Sequence, residues 1–145
     1  MSESIANFMT DDHHRADRLL ADCEQALSEA DWGGLTVLAP QFCGALLGHF
    51  DLEEQSLFPA LLAASPMAQG PTRVMTMEHA QMRVLIAELE EAIGQRDRPS
   101  ALGLLETLHF LIQQHNAKEE GILYPLADRS LAGQEQEILS RLRAN

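Results

Sequence analysis

The feature that most constrains how this chain can fold is a repeat: one pattern occurs twice, 66 residues apart. In the first half Met9, Thr10, an acid at Asp12 and His13 are followed after a long gap by His49, Glu53, Glu54, Leu57, Phe58 and Pro59. In the second half Met75, Thr76, Glu78 and His79 are followed by His115, Glu119, Glu120, Leu123, Tyr124 and Pro125. Two imidazoles and a His-x-x-x-Glu step recur in each half while most of the sequence between them drifts. Such a pattern points to one site built by both halves, and its residue types make it a metal site.

Apolar residues recur at three- and four-residue spacing with no strand-like alternation, which predicts an all-α chain: an antiparallel up-and-down four-helix bundle with short connections. A first helix is expected from Asp11 or Asp12, where an acidic cap suits free amides, up to a breaker at Asp31, Trp32, Gly33 and Gly34. A second runs from about Leu35 to Phe58, with Pro40 either kinking its first part or marking where the regular helix begins, and Pro59 loosening its end. Pro71 opens a third that reaches about Gln95, and Asp97, Arg98 and Pro99 signal a fourth that ends near Leu123. The tail from Gly133 to Asn145 places Ile138, Leu139 and Leu142 on one side and reads as a short accessory helix on the bundle. At 145 residues and 46% hydrophobic content, one domain is expected over residues 1–145, with its core at about 8–128 and its tail at 129–145.

Residues four apart on a helix share a face, so His49 with Glu53, and His115 with Glu119, can each reach one metal centre. The stripes agree, since His49 lies in line with Phe42, Ala45, Leu46, Leu52 and Leu57, and His115 with Leu108, Leu111, Ile112 and Ile122. The repeat nominates His13 and His79 as the remaining ligands. His13 lies in line with Ala16, Leu20, Cys23 and Leu27, whereas the neighbours of His14 are mostly polar. Four imidazoles and two carboxylates converging in a helical bundle suit two iron ions, with Glu53 and Glu119 as bridges and the His split two to each ion. Taken singly, Asp12, Glu54, Glu78 and Glu120 read as solvated helix surface; their best functional role is hydrogen bonding to a ligating His. His109 falls outside the repeat and reads as a packed or partly exposed His.

The formal charge of −12 disfavours binding to nucleic acid or to an anionic membrane surface. Without a leader-like start or about 18 uninterrupted apolar residues, a soluble cytoplasmic protein is expected. Cys23 and Cys43 are too few for a disulfide framework and, among apolar neighbours, read as buried thiols.

With these motifs in place, the chain resembles the hemerythrin-like proteins of the bacterial HHE cation-binding group over about residues 8–128. The resemblance rests on Asp12 and His13, on His49 through Glu54 running into Leu57, Phe58 and Pro59, on Glu78 and His79, and on His115 through Pro125. It implies a four-helix bundle around a non-haem, oxo- or hydroxo-bridged di-iron centre, with His13, His49, Glu53, His79, His115 and Glu119 as ligands. The oxygen-carrying hemerythrins have a second His one turn before the third-helix ligand, where this chain has Met75. With both carboxylates bridging and one oxygen bridge, about ten of twelve octahedral positions are filled, leaving about two open against about one in the carriers. That weakens the case for a dedicated O2 carrier.

The expected function is therefore binding or sensing of a small ligand, O2, NO or peroxide, by a di-iron protein. The alternatives are a catalase- or peroxidase-like enzyme, iron storage or iron-centre repair, and a purely structural bundle. Related repair proteins carry a further cysteine-containing domain absent from these 145 residues, which ranks that class lower.

Overall fold

The computed structural model describes residues 3–144, and among them the regular structure is entirely helical. Asn145, the end of the expected tail helix, lies outside the described residues. The bundle is built from α1 (Ile5–Ser28), α2 (Trp32–Leu52) with its continuation α3 (Phe58–Ala64), α4 (Gln69–Gly94), and α5 (Arg98–Lys118) with its continuation α6 (Tyr124–Ser130). The tail helix α7 (Glu135–Ala144) buries Ile138, Leu139 and Leu142 and lies against α1 and the turn Glu53–Leu57 that joins α2 to α3, so it packs on its own bundle. α1 lies against α2 and α5, and α4 against the same two helices, which places α1 and α4 diagonally.

The helix starts differ from expectation. α1 begins at Ile5 because the Ser4 hydroxyl accepts the Asn7 amide proton at 2.9 Å and caps it. Asp12 is thereby released from capping, and its carboxylate bonds His49 on α2 instead. α2 begins at Trp32, with the Asp31 carboxylate accepting from the Gly34 amide at 2.9 Å, so both glycines lie inside its first turn. Pro40 sits within α2 on its exposed side.

The two tight connections are themselves a repeat. Ala30 and Arg96 have φ of 53° and 54°, and the amide of the residue after each reaches back to Ala26 and Ala92 at 2.9 Å. This is the left-handed helix stop that usually takes glycine. Asp31 and Asp97 then cap the next helix, so one three-residue turn both ends a helix and starts its antiparallel partner. Because side chains are strained at such φ, Ala30→Gly and Arg96→Gly are each expected to stabilise the chain by roughly 0.5–1 kcal/mol. A raised urea midpoint at unchanged slope is the check.

Both long helices run past their expected ends. Each contains one wide π turn, Glu53–Leu57 and Glu119–Leu123, in which the amides of Phe58 and Tyr124 donate five residues back, to the carbonyls of Glu53 and Glu119. The hydrogen-bond ladder skips a residue just ahead of Pro59 and Pro125, which have no N–H to donate, and the helix goes on.

The core divides into two apolar clusters. One holds Leu20, Leu27, Phe42, Leu46, Met82, Ile86, Leu108 and Ile112; the other holds Ile5, Met9, Leu57, Phe58, Met75, Leu123, Tyr124 and the buried face of α7. On every bundle helix the buried His falls between residues of the two clusters. By length and composition the continuous helix Trp32–Ala64 is apolar enough to cross a membrane, at mean hydropathy 1.2. Its Leu35, Phe42, Leu46 and Leu57 supply the bundle core, and it carries Asp51, Glu53 and Glu54. Cys23 and Cys43 are free and buried, and burial reinforced by nearby carboxylates pushes both thiols up to about 12, leaving them unreactive at neutral pH.

Candidate metal centre

Between the two apolar clusters lies a polar layer. His13, His49, His79 and His115 are 0–3% exposed, and Glu53 and Glu119 are fully buried. Leaving six such groups inside a protein without compensation is costly, so the contacts of each one matter.

Donor atoms of His13, His49, Glu53 and Glu119 all lie within 4.8 Å of one another, as do those of Glu53, His79, His115 and Glu119. The two sets share both carboxylates and no imidazole. His13 Nε2 is 2.9 Å from Glu119 Oε1, His79 Nε2 is 3.0 Å from Glu53 Oε1, and His115 Nε2 is 3.4 Å from Glu119 Oε1. Four inward atoms, Glu53 Oε1, Glu119 Oε2, His79 Nε2 and His115 Nε2, have no hydrogen-bond partner, because the 3.0 Å and 3.4 Å contacts are poorly aligned. Buried donors and acceptors are rarely left so. Orphaned imidazole and carboxylate atoms aimed at one another fit cations of the borderline first-row type.

The other ring nitrogen of each His is held by a carboxylate, and these bonds follow the repeat. His13 Nδ1 donates to Glu120 at 2.7 Å and His79 Nδ1 to Glu54 at 2.6 Å; His49 Nδ1 donates to Asp12 at 2.7 Å and His115 Nδ1 to Glu78 at 2.8 Å. A carboxylate on Nδ1 fixes the tautomer that leaves the Nε2 lone pair facing inward, and makes it a stronger donor. The sequence reading of these four acids as surface groups first is therefore replaced by their secondary role. Outside them, Arg15 holds Asp12, Arg83 holds Glu54 and Lys118 holds Glu78. Against partial burial, the bond to His49 and then Arg15 lower the Asp12 carboxyl below its ordinary value, Arg83 and then His79 lower Glu54, and Lys118 and then His115 lower Glu78.

Charge inside the layer is set by opposing effects. Burial disfavours the imidazolium form of His49 and His115, but the surrounding carboxylates outweigh it; His49 is held well above, and His115 above, the usual His value. Burial likewise opposes ionisation of Glu119, yet its hydrogen bond with Glu53, followed by those with His115, His13 and His49, keeps its carboxyl well below the usual range.

The residue that the sequence reading did not place is Tyr124. Its hydroxyl stands in the middle of the layer, donating to Glu53 Oε2 at 2.7 Å and lying 3.0 Å from Glu119 Oε1, 3.0 Å from His13 Nε2 and 3.1 Å from His49 Nε2. Burial and the two carboxylates raise its phenol well above the ordinary Tyr value. The π turn accounts for its position. In a regular α-helix residue i+5 lies roughly 140° around from residue i, whereas the i to i+5 bond of a π turn brings it back above residue i.

Of the remaining histidines, His109 is 49% exposed and pairs with Glu24 at 3.1 Å, and His14 is exposed on α1. Met75 is buried one turn before His79, in the apolar cluster that also holds Met9.

A family model described as the hemerythrin HHE cation binding domain matches residues 4–127. The chain belongs to the hemerythrin HHE cation-binding family. The hemerythrin match runs from the start of α1 into α6, and α7 lies beyond it. Neither the comparison with curated proteins nor that with solved structures gives a match.

Proposed function

We propose that this hemerythrin-like bundle holds two iron ions, ligated by His13, His49, Glu53, His79, His115 and Glu119, and uses them to bind or sense O2, NO or peroxide. The observation that carries the reading is the pair of buried donor sets that share Glu53 and Glu119. A carboxylate offers two oxygens and can serve both sets, which an inward imidazole with one free nitrogen cannot. An iron pair, when bound, supplies exchangeable electrons and open positions for a small exogenous ligand. The protein itself supplies orientation through the Nδ1 bonds and a water-poor enclosure through the apolar clusters on either side. The charge of −12 supports a protein that works without nucleic acid or an anionic membrane surface.

Peroxide turnover is the weaker reading. It needs an acid-base group beside the metals, and the carboxylates that could serve, Glu54 and Glu120, are both engaged by a His Nδ1. The test is anaerobic reconstitution with ferrous iron, removal of excess metal and elemental analysis, followed by spectra with O2, NO and peroxide. About two iron per chain and a spectral change with at least one ligand are expected. A folded chain that retains no iron overturns the reading.

A further inference from the structure

The repeat makes the two donor sets alike in His and Glu but unlike in one atom. Tyr124 corresponds to Phe58, 66 residues earlier, so one half of the layer has a hydroxyl and the other does not. The surroundings differ in the same sense. His79 is stacked on Phe50 at 4.1 Å and faces Phe58 at 6.1 Å, whereas His13 has the Tyr124 ring at 5.5 Å.

The hydroxyl's position is informative. Donors cis to one another about an octahedral first-row ion, with bonds of about 2.1 Å, stand about 3.0 Å apart. The Tyr124 oxygen lies 2.7, 3.0, 3.0 and 3.1 Å from Glu53 Oε2, Glu119 Oε1, His13 Nε2 and His49 Nε2. Among those four atoms, His13 Nε2 to Glu119 Oε1 at 2.9 Å and His49 Nε2 to Glu53 Oε2 at 3.5 Å are edges, and His49 Nε2 to Glu119 Oε1 at 3.8 Å is a diagonal. A phenol oxygen at cis distance from all four corners of one donor set has the place of an apex. Opposite it, His79 Nε2, His115 Nε2, Glu53 Oε1 and Glu119 Oε2 have no hydrogen-bond partner.

We propose that Tyr124 is a phenolate donor to the ion held by His13, His49, Glu53 and Glu119, so that an exogenous ligand binds at the ion of the His79 and His115 half. The inference rests on the metal reading above. On coordination the phenol O–H bond breaks, the oxygen lone pair goes to the ion and the proton leaves to the buffer, with no change of oxidation state. One half is then capped by the protein. The other faces Phe50 and Phe58, side chains that offer no donor and suit a small apolar ligand.

The chain contains one tyrosine, which makes the test clean. The protein reconstituted with iron and oxidised to the ferric state is expected to show a visible phenolate-to-iron charge-transfer band, and resonance Raman excitation within it to enhance tyrosinate ring modes. Tyr124→Phe should lose both while keeping most of its iron by elemental analysis. Azide, used as an anionic probe, should add its own band without abolishing the tyrosinate modes. Iron-loaded wild type without those modes overturns the proposal and leaves the metal reading standing. Displacement of the modes by azide overturns the assignment of the open position, and failure to retain iron at all overturns both readings.

Discussion

Glu119→Ala, and equally Glu53→Ala, is expected to empty the whole centre, whereas His79→Ala or His13→Ala empties half of it. Each imidazole belongs to one donor set and each of the two buried carboxylates belongs to both. With one His gone, the other set still has two imidazoles and both carboxylates, and about one ion should remain. With Glu119 gone, both sets lose a donor, His13 and His115 lose their nearest shared carboxylate, and His49 keeps only Glu53 of the shared pair. The drop in affinity should exceed the 10–100-fold typical of losing an outer hydrogen-bond partner. Elemental analysis after identical ferrous loading and desalting measures it. If the Glu and His variants lose the same fraction of iron, the carboxylates are not shared and the arrangement of two ions over six ligands is wrong.

How much of this was legible without coordinates depends on what kind of signal each residue gives. His49 and Glu53, and His115 and Glu119, lie four apart on otherwise apolar stripes, and the bundle places all four inward. Choosing His13 over His14 needed only the comparison of two helical stripes, and the exposure of His14 follows it. The four outer acids were harder to read, because an acid beside a His in sequence does not reveal which His it meets. Asp12 adjoins His13 but bonds His49 on α2, and Glu54 bonds His79 on α4. Those pairings depend on which helices are neighbours. Tyr124 was out of reach for a different reason. On regular helical periodicity it points away from Glu119, and only the π turn brings it back. The sequence does mark the place, since a proline follows Phe58 and Tyr124 in both halves. Read as helix ends, Pro59 and Pro125 instead mark where the ladder skips one residue.

Stripping the metal is expected to lower the melting temperature by roughly 10 °C at neutral pH. A ligand at a thousand times its dissociation constant adds about 4 kcal/mol, and a chain of this size shifts by roughly 2–4 °C per kcal/mol. The sign of the pH dependence separates this from a general effect of chelator. In the stripped protein His49 and His115 are held above their unfolded value of about 6.5, so their contribution is fully present below that pH and fades as pH rises through the raised value. Asp12, Glu54, Glu78 and Glu119 are lowered, so theirs is present above about pH 4.5 and fades as pH falls through the depressed values. The stripped chain is thus most stable between roughly pH 4.5 and 6.5. Metal binding requires those same imidazoles neutral, so it strengthens with rising pH. The gap between loaded and stripped melting temperatures should therefore widen from pH 5.5 to pH 7.5, by loss on one side and gain on the other. Thermal scans of both forms at the two pH values decide it: a gap that is constant or narrows would mean that the buried layer is not where the metal binds.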